Sequence, residues 1–290
     1  MDLFVICFGS PRPFHQIWLR QASALPVTFH LMTDRAEEWR RAATDTAGLV
    51  FHDCQIDEYF NRVAEALRLA SSAHLIERYG HYCFGRRDGW TACGFRPLLP
   101  RMFPGCVTGE FWGWLDYDVL MPIDLFDHLR GEADRHPERD SFFIPRGIRW
   151  EQFKVFRSSS IDLHGDEFAS NIRNGSYKTP PPPLEAQFVY SQARNPGGAF
   201  SPVVQSEIAV HWHYLEAMGI HGRANRIDVS VNLAELTLHD ASTGKRVLLF
   251  VADDECKAFT QERVSEILRS PENTTVWQSA SAGDAARDGD

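Results

Sequence analysis

The strongest constraint on the fold is an apolar run, Phe111-Trp112-Gly113-Trp114-Leu115, that leads directly into Asp116-Tyr117-Asp118. Because the run contains no polar residue, it predicts a central β-strand covered on both faces, as in the parallel sheets of α/β proteins. Ligands of open α/β sheets bind beyond the carboxyl ends of the strands. The two acids are therefore expected at a ligand-binding edge of the sheet.

Asp116 and Asp118 are two positions apart, which in an extended chain puts both side chains on one face, roughly 6 to 7 Å from each other. Two carboxylates this close repel each other, so a cation or a strong set of hydrogen-bond donors is expected beside them. Oxygen ligands suit Mg2+ or Mn2+, whose open positions accept diphosphate oxygens. The alternative is that both acids cap the strand end and meet solvent or a nearby arginine.

Strand and helix patterns alternate along the first part of the chain, which predicts a doubly wound α/β fold. Strands are predicted at residues 3–8, 27–32 and 49–52, with a helix after each of the first two and a surface helix or helix pair over residues 57–79. The segment 90–103 predicts a helix that is broken or kinked at Pro97 and Pro100.

Further strands are predicted after the acid pair. Residues 141–145 and 152–157 predict two strands that form a hairpin or a sheet edge, and residues 227–238 and 246–251 predict a late antiparallel hairpin. The expected fold is α/β, with a mostly parallel central sheet flanked by helices. We expect one domain over residues 1–268, followed by a polar, disordered tail at 269–290.

Charge and cysteine usage exclude several classes of function. The net charge is −9 with no long basic stretch, which argues against nucleic acid as a partner. The first apolar run is too short for a signal peptide or membrane span, so no integral membrane segment is expected. The six cysteines lack C-x-x-C spacing, which favours reduced, mostly buried thiols over disulfides or a zinc site, and hence a cytoplasmic location.

Four other residues are candidates for the site. Asp34 follows an apolar strand and can accept hydrogen bonds from a nucleotide, or it can cap the next helix. Arg96 can reach diphosphate oxygens as a bidentate donor, or it can form a structural salt bridge. His211, or less favourably His213, can complete a metal shell opposite the acids, or it can be a packed or surface residue.

The catalytic base is not identified by the sequence. Four acids that follow the predicted sheet are candidates for the base of an inverting reaction: Asp162, Asp166, Glu167 and Glu185. A retaining reaction would need none of them. Lys178 lies in a loop-like stretch and can contact a leaving phosphate or simply be solvated.

Two segments resemble a bacterial family of glycosyltransferases common in polysaccharide gene neighbourhoods. The family pattern is roughly Y-K-x-C-D-F-K-P, then F, then D-F-W-G-Y-x-D-x-D. This chain has Trp90-Thr91-Ala92-Cys93-Gly94-Phe95-Arg96-Pro97, then Phe103, then Glu110-Phe111-Trp112-Gly113-Trp114-Leu115-Asp116-Tyr117-Asp118. The similarity is specific over roughly residues 90–125, and the family's acid after cysteine is Gly94 here.

The resemblance implies a GT-A-like fold, a nucleotide-sugar donor and a divalent metal, Mn2+ or Mg2+, held by the DxD element Asp116 and Asp118. Arg96 stands where the family has lysine. The acceptor would be a sugar, a lipid-linked or a small-molecule compound. Two alternatives remain open: a sugar-nucleotide or glycan-binding protein without catalysis, and a nucleotidyltransferase.

Overall fold

The structure is a computed structural model. It describes residues 1–73, 92–93, 95–117, 119–121, 123–135, 137, 141–143, 153–162, 165–166, 168–169, 229–240, 249–250, 259–270, 272 and 274–277. No helix in these ranges is both long and apolar enough to cross a membrane.

The described strands and helices alternate in the first half of the chain and become strand-rich later. The strands are β1 (Asp2–Ile6), β2 (Thr28–Thr33), β3 (Leu49–Asp53), β4 (Phe111–Leu115), β5 (Val119–Leu120), β6 (Ser141–Phe143), β7 (Phe153–Arg157), β8 (Val229–Asn232), β9 (Thr237–Asp240), β10 (Leu249–Phe250) and β11 (Thr274–Trp277). The α-helices are α1 (Pro13–Ala24), α2 (Ala36–Ala42), α3 (Ile56–Ala66), α4 (Leu99–Met102), α5 (Asp124–Arg135) and α6 (Gln261–Arg269).

The central sheet has six strands in the order β3-β2-β1-β4-β7-β6. The four strands from β3 to β4 are parallel, whereas β7 runs antiparallel to both β4 and β6. The predicted α/β class, with a mostly parallel sheet flanked by helices, is therefore confirmed. The predicted pair of edge strands after the acids is also confirmed as β6 and β7.

Both faces of the sheet are covered by apolar side chains. Leu3 and Val5 of β1 face a cluster that includes Trp18 of α1 and residues of α5 and α6. Phe4 and Ile6 face a second cluster built on α3, α4 and the strand residues Trp112, Trp114 and Phe156. This two-sided burial is what the uninterrupted apolar run of β4 predicts.

The structure refines two helix predictions. Of the helix or helix pair predicted over residues 57–79, the first helix, α3, ends at Ala66, because Arg68 adopts a positive φ of 58° that an α-helix does not accommodate; residues 74–79 lie outside the described residues. The prolines predicted to break or kink a helix lie at the starts of a 3-10 helix, Arg96–Leu98, and of α4, which agrees with the broken alternative. A proline is tolerated in a first turn because its missing N–H would have no partner there.

The late hairpin is present, but its strands are β8 and β9. The turn between them is held by Asn232, whose Oδ1 accepts hydrogen bonds from the backbone N–H of Ala234 and Glu235, each at 3.0 Å. The segment predicted as its second strand contributes β10, which pairs with β5. β11 lies in the segment predicted as a disordered tail and pairs with β8. The extent of the domain stays a prediction.

Candidate functional site

The strand order creates a switch point between β1 and β4. The chain proceeds from β1 to β2 and β3 on one side, and β4 lies on the other side of β1. In open α/β sheets, ligands bind in the crevice beyond the carboxyl ends of two such strands. Two features lie at that edge here. One is the loop after β1, which contains Gly9, and the other is Asp116, which directly follows β4.

Asp34 lies beside the loop after β1. Its Oδ1 accepts a hydrogen bond of 2.7 Å from the backbone N–H of Gly9. Gly9 has a φ of +93°, a backbone conformation that favours glycine. The alternative role as a helix cap is not observed, since Arg35 is the N-cap of α2 and makes no side-chain capping bond. Asp34 therefore shapes the turn at the carboxyl end of β1, and its contact with a nucleotide stays a prediction.

An aromatic cluster joins this loop to the acid pair. The Trp39 indole donates a 2.8 Å hydrogen bond to the carbonyl oxygen of Gly9 and stacks on His15, with ring centroids 4.9 Å apart. His15 meets the edge of Tyr117 at 4.8 Å. Sequence analysis did not single out His15 or Trp39, because an aromatic residue in an amphipathic helix is normally a core residue.

Arg96 and Asp116 form an ion pair. The Arg96 guanidinium donates to Asp116 Oδ1 and also to Cys93 Sγ, the latter at 2.9 Å. The Arg96 side chain is 3% exposed and the Asp116 side chain 19% exposed. A donor therefore lies beside Asp116, which agrees both with the expected donor set and with the alternative of a nearby arginine. The salt-bridge alternative for Arg96 is the one observed. A contact of Arg96 with diphosphate stays a prediction.

A lysine is buried near the end of β4. Lys154 of β7 pairs in register with Trp114, and its Nζ lies 5.3 Å from the centre of the Trp114 ring. Its side chain is fully buried. Buried lysines need compensating interactions. Lys154 thus lies on the strand beside β4, which Asp116 directly follows.

The residues available for a divalent cation include Asp116 but are not all described. Asp118, His211 and His213 lie outside the described residues, as do Lys178, Glu167 and Glu185. The Asp116 carboxylate is an oxygen donor, partly exposed and at the ligand-binding edge of the sheet, which fits Mg2+ or Mn2+.

Two of the eligible catalytic bases are paired with one arginine. Arg101 of α4 donates hydrogen bonds to Asp166 Oδ1 at 2.9 Å and to Asp162 Oδ1 at 3.3 Å. Both carboxylates are largely exposed. The structure thus brings Asp162 and Asp166 to Arg101.

The described cysteines are free thiols, in agreement with the sequence. Burial raises the pKa of Cys7 well above its usual value and that of Cys54 to about 11. A thiol with a raised pKa is a poor nucleophile at neutral pH. These two cysteines therefore serve packing.

Two histidines on neighbouring strands are held neutral. The pKa of His30 is lowered mainly by burial. The pKa of His52 is lowered to about 4, mainly by burial and to a smaller extent by the charges of His30 and Arg62. Burial also raises the pKa of the nearby Cys106. At pH 7 both imidazoles therefore carry an unprotonated ring nitrogen.

Comparison with known proteins gives little further information. No protein-family model matches the chain, and no curated protein matches it. Among solved structures, the chain is similar to the apo crystal structure of mouse xyloside xylosyltransferase 1, with a TM-score of 0.38 and 10% identity, over 60% of this chain and 74% of that chain. A likeness this weak carries no argument about function.

Proposed function

We propose that this protein is a metal-dependent glycosyltransferase that uses a nucleoside-diphosphate sugar as donor. The observation that carries the proposal is the position of Asp116, an acid at the carboxyl end of β4 beside the β1–β4 switch point. The resemblance of residues 90–125 to a glycosyltransferase family supports the same chemistry. The acceptor is a sugar, a lipid-linked or a small-molecule compound.

In this proposal the nucleoside lies over the loop after β1. Asp34 holds that loop through Gly9, and Asp34 or the loop amides bind the ribose or the base. Tyr117 offers an aromatic face joined to the same loop through His15 and Trp39. The nucleoside is thereby oriented with its diphosphate toward Asp116.

The diphosphate is bound by positive charge at the end of β4. A guanidinium has five N–H donors, so Arg96 can pair with Asp116 and also hydrogen-bond a phosphate oxygen. Asp116 and Asp118, with His211, would hold Mn2+ or Mg2+. When bound, such a cation neutralises charge on the departing nucleoside diphosphate.

The test is hydrolysis or transfer from a panel of UDP-sugars and GDP-sugars, with and without Mn2+. We expect wild-type protein to release the nucleoside diphosphate only with a divalent cation. Asp118→Asn should lower the rate about 10²- to 10³-fold, the loss typical when one electrostatic contact to a transition state is removed. Asp127→Asn, at an exposed position of α5, is the matched control and should keep full activity.

Three results would contradict the proposal. Full activity of Asp118→Asn with Mn2+ would exclude the metal role of that acid. Release of pyrophosphate would identify a nucleotidyltransferase, and tight nucleotide binding without turnover across the whole panel would identify a binding protein.

A further inference from the structure

A second group of metal-ligand side chains lies on the face of the sheet covered by α3 and α4. His30 is in β2, His52 is in β3, and Cys106 is in the loop between α4 and β4. One ligand atom of each lies within 4.8 Å of those of the other two. We propose that these three residues bind one zinc ion. The proposal is independent of the proposed function.

Two distances within the group are close to those of tetrahedral zinc coordination. His30 Nδ1 lies 3.1 Å from His52 Nε2, and His52 Nε2 lies 3.9 Å from Cys106 Sγ. With Zn–N of about 2.0 Å and Zn–S of about 2.3 Å, tetrahedral geometry separates two nitrogens by about 3.3 Å and nitrogen from sulfur by about 3.5 Å. These two separations therefore need to change by only a few tenths of an ångström to hold a zinc ion.

An acidic partner orients His30 for this role. His30 Nε2 lies 3.4 Å from Asp2 Oδ1, so Nε2 carries the proton and Nδ1 presents its lone pair to His52. Asp2 is itself fixed, because its Oδ2 accepts hydrogen bonds from the backbone N–H of Thr108 and Gly109 at 3.0 and 2.8 Å. Zinc-binding histidines usually donate their second ring N–H to a carboxylate in this way.

The site is separate from the proposed donor site. The group is tied to Asp2, which begins β1, and to the loop before β4, whereas Asp34 directly follows the carboxyl end of β2 and Asp116 that of β4. His30 is buried under Phe4, whose ring stacks on it at 5.3 Å, while His52 and Cys106 are partly exposed. Three protein ligands and partial exposure leave a fourth position for water.

The ligand types decide which metal is bound. Imidazole and thiolate select zinc, whereas Mg2+ and Mn2+ prefer carboxylate, carbonyl and water oxygens. Zinc here would tie β2, β3 and the loop after α4 together, three segments far apart in sequence. The competing arrangement is a hydrogen bond in which His52 Nε2–H donates to His30 Nδ1, with no metal.

The experiment uses the full chain, stripped of metal with a chelator and titrated with Co2+ as a spectroscopic substitute for zinc. We expect one Co2+ per chain with an intense thiolate-to-cobalt charge-transfer band, displaced by one equivalent of Zn2+. Cys106→Ala should lose the band, while Cys54→Ala, at a buried thiol outside the group, should keep it. Co2+ held only by carboxylates at the donor site would give no thiolate band, so the two proposals fail independently.

A second readout in wild-type protein avoids variants that fold poorly. Alkylation followed by peptide mass spectrometry should show Cys106 protected at least about tenfold by one equivalent of Zn2+, with Cys93 unchanged. The proposal is overturned if wild-type protein shows no thiolate band, if Cys106→Ala keeps it, or if Zn2+ leaves Cys106 alkylation unchanged; each result would mean a hydrogen-bonded histidine pair only.

Discussion

The ion pair of Arg96 and Asp116 is a structural contact of two residues to which the proposed function assigns a second role. Arg96 is almost completely buried, so its charge depends on the Asp116 carboxylate for compensation. Removing one member of a buried ion pair costs about 3–5 kcal/mol, mostly because the other charge is left uncompensated. Activity measured on an Asp116 variant alone therefore mixes lost stability with lost binding, and for this reason Asp118→Asn carries the activity test.

A double-mutant cycle separates these two effects. We expect Asp116→Asn to lower the free energy of unfolding by about 3 kcal/mol, whereas adding Arg96→Met should recover at least half of that loss, because the orphaned charge is then removed. Urea unfolding of the four proteins measures this. Additive losses from the two substitutions would show that the pair is not coupled in the folded protein.

At the scale of elements, the contact between β4 and β7 requires a residue without a side chain. A Cβ atom added at Gly113 would overlap the carbonyl oxygen of Lys154, which belongs to the neighbouring strand. Backbone cannot move away as a flexible side chain can. Gly113 is therefore needed for the close approach that positions β4 and the acids after it.

Gly113→Ala should lower the free energy of unfolding by about 3 kcal/mol, at the upper end of the usual cost of overpacking. Gly131→Ala is the matched control, because Gly131 lies inside α5 with open space around its Cβ position and alanine favours a helix by about 1 kcal/mol. Chemical denaturation of both variants measures the difference. Equal stability of Gly113→Ala and wild type would contradict the described strand contact.

Element types were predictable where the residue pattern was local and strong. The buried strands β1, β2 and β4 and the helix α1 follow from apolar periodicity. Which strand pairs with β10 did not follow, since pairing partners depend on contacts far apart in sequence. The sequence left open whether residues 57–79 form one helix or two, because nothing before Arg68 signals the positive φ that follows the end of α3.

Candidate site residues could be proposed from the sequence only where they are contiguous with a motif. Asp116 and Arg96 were proposed because each adjoins such a motif, and their roles stay predictions. The cluster of His15, Trp39 and Tyr117 and the group of His30, His52 and Cys106 each draw on separate segments, so no spacing rule identifies them. The spacing of the cysteines argued against a zinc site. The proposed site combines one cysteine with two histidines of neighbouring strands, a combination that cysteine spacing does not include.

In the whole molecule, the proposed function requires that the carboxyl edge of β1 and β4 binds a nucleoside diphosphate together with a divalent cation. Anomalous scattering of Mn2+ in crystals grown with UDP or GDP tests this. We expect a manganese peak coordinated by the carboxylate of Asp116 or Asp118, with the diphosphate against it and the nucleoside over the loop that contains Gly9. A nucleotide bound elsewhere, or one bound at this edge with no manganese beside either carboxylate, would contradict the proposed function.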